Sequence, residues 1–144
     1  MRPWLTERWG NPSSIYSIAR DSRRAIEKAR EDVAAAIGAK PDEIYFTSGG
    51  TESDNWAIKS TAKAFASKGR HLITSAIEHH AVTESMESLK SEGFEVTILP
   101  VDKYGLVDPA ELEKAIRPDT ILISIMTANN EIGTIQPIAE LAEI

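Results

Sequence analysis

Cysteine is absent from the 144-residue sequence. That absence excludes disulfides and thiolate metal sites, and it fits a reducing compartment. Long apolar runs are absent too, so no segment reaches the length of a membrane span. Residues 1–10 lack the apolar stretch of a secretory signal peptide. Positive charge is in deficit: 16 Lys and Arg stand against 22 Asp and Glu, a net charge of -6. No electrostatic argument therefore points to nucleic acid or an anionic membrane as a partner. Internal repeats and low-complexity segments are missing as well. These absences describe a cytoplasmic type of chain with no metal site assigned. Its length suits one domain that buries a sizeable core.

The residues present alternate between two periodicities. Ile18, Ile26, Ala29, Val33 and Ile37 form a helical stripe that predicts a helix from about Ser14 to Ile37. Arg23, Glu27, Lys28 and Asp32 lie off that stripe on a solvated face. Gly10–Ser14 reads as the turn leading in, and Gly38 as the C-cap. The β-favouring run Ile44–Thr47 predicts a strand that passes through Ser48, Gly49 and Gly50 into a helix from about Thr51 to Ser67. A second strand follows at His71–Ser75, then a helix from about His80 to Glu92 with Val82, Met86 and Leu89 on one face. A third strand is expected over Phe94–Val101. A short helix through Ile116 is opened by Asp108 as N-cap, Pro109 at the first position and Glu111 as a capping-box partner. Thr120–Met126 is apolar enough to be a strand buried on both faces, and Pro137 opens a last helix. This alternation predicts an α/β fold, a three-layer sandwich with a mostly parallel sheet and helices on both faces. The apolar stripe at Leu141 and Ile144 stops in mid-helix without a cap, from which a piece of something larger is expected.

In open α/β sheets, ligands bind beyond the carboxyl ends of the strands. Three polar groups fall at such ends: Ser48–Thr51, Glu78 with His79, and Asn129, Asn130 and Glu131. A strand turning through glycines into a helix start suits an anion, because free N–H groups and the helix dipole favour negative charge. The same turn, with Thr51 and Asp54, also reads as a plain capping box. It is neither a P-loop nor a Gly-x-Gly-x-x-Gly fingerprint. His79 stands at a helix start, which favours the neutral ring and suits stacking or proton transfer, although a solvated or core histidine would look the same. His80 reads as a helix-face residue, and the two asparagines also suit a simple turn.

Four segments carry a family resemblance: Gly10–Ser14, Phe46–Asn55, Glu78–Val82 and Asn129–Gly133. Together, and in this order, they resemble the cysteine desulfurases (NifS/IscS-like), class V aminotransferase relatives that use pyridoxal 5'-phosphate on fold type I. The resemblance spans the whole chain but well under half of a full family sequence, so the chain looks like a fragment of the large, cofactor-binding domain. It implies that Gly50 and Thr51 hold the cofactor phosphate, by backbone N–H and by hydroxyl. It implies that His79 stacks on the pyridine ring and moves protons, and that Asn130 sits near the pyridoxal 3-hydroxyl and the substrate.

The departures bear on activity. The family's Schiff-base lysine lies in a Ser-x-His-Lys motif that has no match here. None of the lysines present, on helices or in turns, reads as the desolvated amine such chemistry needs. The aspartate that pairs with the pyridinium nitrogen, the persulfide-forming cysteine and the arginine for the substrate carboxylate are also missing, and the resemblance leads one to expect a further segment before Met1. The resemblance thus implies part of a homodimeric enzyme that converts L-cysteine to alanine and an enzyme-bound persulfide, for iron–sulfur cluster or thio-cofactor assembly. The chain alone is expected to turn nothing over. Two alternatives are half of a split desulfurase completed by another chain, for which Trp4 and Trp9 would serve as a contact surface, and a non-catalytic binding module.

Overall fold

Strand β1 (His71–Ser75) is buried at every position. It is the middle strand of a three-stranded parallel sheet in the order β2-β1-β3, with β2 at Glu95–Leu99 and β3 at Thr120–Ser124. Neighbouring side chains on a strand point to opposite faces, so Leu72 and Ile73 enter different cores. Leu72 packs with Ile58 and Ala62 of α3 (Gly50–Phe65), with Val82, Met86 and Leu89 of α4 (His80–Lys90), and with Phe94. Ile73 packs with Leu99, Val107, Leu112 of α5 (Pro109–Ala115) and Leu141 of α6 (Ile138–Glu143). Helices therefore cover both faces, and the expected three-layer α/β sandwich is present. Burying each of these large side chains contributes about 1.5–3 kcal/mol relative to leaving it exposed.

The structure is a computed structural model and describes residues 2–144. The chain divides into two units, one running through Phe46 and the other from Thr47 to Ile144. The first holds α1 (Arg2–Thr6), α2 (Ser17–Ile37) and a 3-10 turn at Pro41–Glu43. Gly38 ends α2 with φ 70°, the left-handed cap its position predicts. Helix α2 starts later than expected, at Ser17, because Asn11 folds the preceding residues into a turn: its Oδ1 accepts the Ser13 N–H at 3.0 Å. The apolar stripe of α2 is largely exposed, with Ile18 at 55% and Ile37 at 67%. An amphipathic face is buried only where another element packs on it, and Ala19, Ser22 and Ala34 are the buried residues of α2.

Two expectations about strands need correction. No strand forms over Ile44–Thr47. The Ile44 carbonyl accepts from the Arg30 guanidinium, which also lies 5.0 Å from the Phe46 ring centre, so a side chain occupies a backbone group that a ladder would use. Strand β3 is not buried on both faces: it is an edge of the sheet, only half-buried, with Ile123 40% exposed. Capping at α5 is also simpler than predicted. Asp108 Oδ1 accepts the Ala110 N–H at 2.9 Å as expected, but Glu111 pairs with Lys114 at 2.7 Å instead of closing a box.

Candidate functional site

The chain leaves β1 toward β2 on one side, and β3 lies on the other side. This makes the carboxyl end of the β1–β3 crevice a topological switch point, the usual ligand position in an open α/β sheet. Two loops meet there. The loop after β1 is anchored by Ser75, whose hydroxyl donates to Glu78 Oε1 at 2.6 Å. The same carboxylate oxygen accepts the Met126 N–H, beyond β3, at 2.8 Å. Asn129 makes the second tie, its Nδ2 donating to the Ile77 carbonyl at 2.8 Å. Asn129 Oδ1 accepts the N–H groups of Glu131 and Ile132 at 2.9 and 3.0 Å, and this Asx arrangement shapes the turn that carries Asn130.

His79 is exposed and is the N-cap of α4, with Nδ1 accepting the Ala81 N–H at 3.0 Å. That bond requires the neutral tautomer with its hydrogen on Nε2. His80 is exposed on the first turn of α4, the helix-face position read from the sequence. Asn130 is exposed on the neighbouring turn. The structure thus brings the His79 and Asn130 loops together through Glu78 and Asn129.

Gly50 and Thr51 begin α3, whose first-turn N–H groups no side chain caps. A Cβ placed on Gly49 or Gly50 would meet nothing within 4 Å, so the space in front of this turn is open. The alternative reading of Thr51 as a capping-box N-cap does not hold, because the N-cap is Gly49, two residues earlier, and Thr51 lies inside the first turn. Glu52 instead reaches back, its Oε2 accepting from both the N–H and the hydroxyl of Ser48 at 2.7 Å. The Ser48 N–H, then its hydroxyl, hold the Glu52 carboxyl below the usual carboxylate range. Thr47 and Ser53 share a further bond, Oγ1 to Oγ at 2.7 Å. Among the described residues no hydrogen bond ties Gly50 or Thr51 to the other two loops.

Glu78 and Glu52 carry structural roles at this rim that the sequence reading left out. A glutamate in the first turn of α3 is a local signal that would have found Glu52. Glu78 is visible as a polar residue at the end of β1, but no local signal gives its bond to Met126, which is 48 residues away. The lysines sit at the surface: Lys28, Lys63, Lys90 and Lys114 are ion-paired, and Lys68 and Lys103 lie over aromatic rings. None is among the buried residues. A cavity of about 830 Å³ lies elsewhere, in the first unit, lined by Trp4, Trp9, Tyr16, Ile26 and Phe46 among others. No described helix is long and apolar enough to cross a membrane.

The family model for class V aminotransferases matches residues 1–144. The chain is 65% identical to the cysteine desulfurase IscS of Methanosarcina thermophila, over all of this chain and 36% of that protein. Among solved structures it resembles a NifS-like protein with a TM-score of 0.93 and 46% identity, covering 99% of this chain and 39% of the other. It also resembles SspA in complex with cysteine, with a TM-score of 0.89 and 44% identity, covering 99% of this chain and 41% of the other. The chain thus spans little more than a third of the curated relative's length.

Proposed function

The chain belongs to the class V aminotransferase family, and from that premise we propose that it forms one wall of a pyridoxal 5'-phosphate site in a cysteine desulfurase. The observation that carries this reading is the start of α3, where no side chain caps the first-turn N–H groups and the side of Gly49 and Gly50 that a Cβ would occupy is open. Such a helix start holds a phosphate through its N–H groups and its dipole. Gly50 and Thr51 would supply backbone N–H groups, and the Thr51 hydroxyl, which makes no hydrogen bond within the described residues, adds a donor. His79 would lie against the cofactor ring, and Asn130 would face the 3-hydroxyl and the substrate. With Nδ1 engaged by Ala81, His79 exchanges protons through Nε2. When bound, pyridoxal phosphate supplies an electron sink for bonds at an amino acid α-carbon.

The substrate in this reading is L-cysteine, and the resemblance to SspA in complex with cysteine supports it. The products are alanine and a persulfide sulfur for iron–sulfur cluster or thio-cofactor assembly, made by a cytoplasmic homodimer. This chain contains no cysteine and no buried lysine. The sulfur acceptor and the amine that anchors the cofactor therefore come from other residues, those of a longer polypeptide or of a complementary chain. The half-exposed edge at β3 gives a complementary chain a place to pair.

Titrating the chain with pyridoxal phosphate is expected to show weak, non-covalent binding that inorganic phosphate competes away. No alanine should form from cysteine until a polypeptide equivalent to the rest of the Methanosarcina thermophila relative is added. Absence of phosphate-competable binding would overturn the site. Alanine release by the chain alone would overturn the assignment of lysine and cysteine to other residues.

A further inference from the structure

We propose that Glu78 and Asn129 are positioning residues, a two-point clasp across the β1–β3 crevice that sets where His79 and Asn130 stand. The inference rests on the function proposed above, which gives those two exposed residues to the cofactor. The His79 side chain has one hydrogen bond, from the Ala81 N–H of its own helix, so its place depends on the backbone just before it. That backbone is held from both sides. The Ala76 N–H donates to Leu99 beside it at 3.0 Å, and the Ile77 carbonyl accepts Asn129 Nδ2 at 2.8 Å. The Glu78 carboxylate closes the loop on itself through Ser75 and onto the β3 side through the Met126 N–H.

Asn129 is used completely. Its N–H donates to the Thr134 carbonyl, its carbonyl accepts the Gly133 N–H, its Oδ1 takes two turn N–H groups and its Nδ2 spans the crevice. One end of this residue builds the turn under Asn130, and the other fixes the distance of that turn from His79. A ring-stacking residue and a polar residue that share one ligand need this spacing held. Loops are mobile unless their backbone groups are tied, and binding geometry is lost with small displacements.

The chemistry provides selective variants. Glu78→Gln keeps an acceptor oxygen for Ser75 and Met126, whereas Glu78→Ala removes it. Asn129→Asp keeps the Oδ1 bonds of the turn but turns an acceptor toward the Ile77 carbonyl and Met126 Sδ, which breaks the two Nδ2 bonds, the crossing bond among them. In the full 144-residue chain, NMR would follow the His79 ring and Asn130 side-chain signals while pyridoxal phosphate affinity is titrated. Glu78→Ala and Asn129→Asp should shift both sets of signals, leave the Gly50 and Thr51 amides in place, and weaken the cofactor about tenfold, the scale of losing outer hydrogen-bond partners of a bound group. Glu78→Gln should restore signals and affinity to within about twofold. Asn129→Asp carries the test if Glu78→Ala does not fold. Unshifted His79 and Asn130 signals in Asn129→Asp would overturn the clasp, and so would a Glu78→Gln as impaired as Glu78→Ala. If the unaltered chain binds no pyridoxal phosphate, the function reading fails, and the NMR signals alone decide whether the clasp exists.

Discussion

His71 Nδ1 lies 2.7 Å from Thr120 Oγ1, a bond that joins the central strand to its edge neighbour at the end of the sheet away from the candidate site. On the other side the ring reaches Thr97 Oγ1 of β2 at 2.8 Å, so one fully buried imidazole ties all three strands. Burial holds its pKa below the ordinary 6.5, and Arg117 adds to this, while Asp119 and Glu95 oppose it. Above pH 6.5 both the folded and unfolded rings are neutral, and the His71 contribution is complete. As pH falls below 6.5 the unfolded chain takes up a proton that the folded chain refuses, so stability declines. The slope for one such proton is at most about 1.4 kcal/mol per pH unit. Urea unfolding between pH 7.5 and 5.5 should show this decline, and His71→Gln should flatten it.

Glu52 predicts an acid-sensitive helix start. The two Ser48 bonds depress its pKa, so the Glu52–Ser48 tie is present above the ordinary carboxylate range and is lost as pH falls through the lowered folded value. Amide hydrogen exchange at Ser48 and in the first turn of α3 should quicken in Glu52→Ala near neutral pH. In Glu52→Gln, which retains an acceptor, the protection factor should stay high and no longer fall with acid.

Gln136 is buried, and its amide satisfies two backbone groups of the loop before α5. Its Oε1 accepts the Val107 N–H at 2.9 Å, and its Nε2 donates to the Gly105 carbonyl at 2.6 Å. Gln136→Leu keeps the bulk and strands both groups, at about 1–3 kcal/mol for each. Denaturant unfolding should register the loss. An unchanged midpoint would mean that the 101–107 loop finds other partners.

Thr51 separates binding from folding. Its hydroxyl makes no bond within the described residues, so Thr51→Val should leave the unfolding midpoint unchanged. It should weaken pyridoxal phosphate by about ten- to a hundredfold, the scale of one hydrogen bond to a charged group. A fluorescence titration alongside thermal melting would check both. Unchanged affinity would remove the hydroxyl from the phosphate site.

Most elements were legible because their signals are local. The alternation of strand and helix, the left-handed Gly38 and the Asp108 cap each depend on residues a few positions apart. The Gly50–Thr51 turn and the polar groups at the ends of β1 and β3 were visible for the same reason, as strand and helix boundaries. The Ile44–Thr47 run shows the limit. Its β propensity is real, but a strand needs a neighbour, and Arg30, 14 residues earlier, takes the Ile44 carbonyl. The α2 stripe gave its helix correctly, but periodicity says which face is apolar and not whether anything covers it.

By itself, the sequence determined the class of fold and the placement of β1 with its flanking helices, and its family resemblance named the residues proposed for a site: Gly50, Thr51, His79 and Asn130. Propensity, periodicity and capping act over one or two turns of chain, and they are written locally. Only the tertiary structure decided that β1 lies between β2 and β3, that β3 is an edge, and that Glu78 and Asn129 stitch the two loops bearing His79 and Asn130. Those relationships depend on groups about fifty residues apart meeting at hydrogen-bond distance. No local pattern encodes such a meeting, because it exists only once the sheet has set the register of its strands.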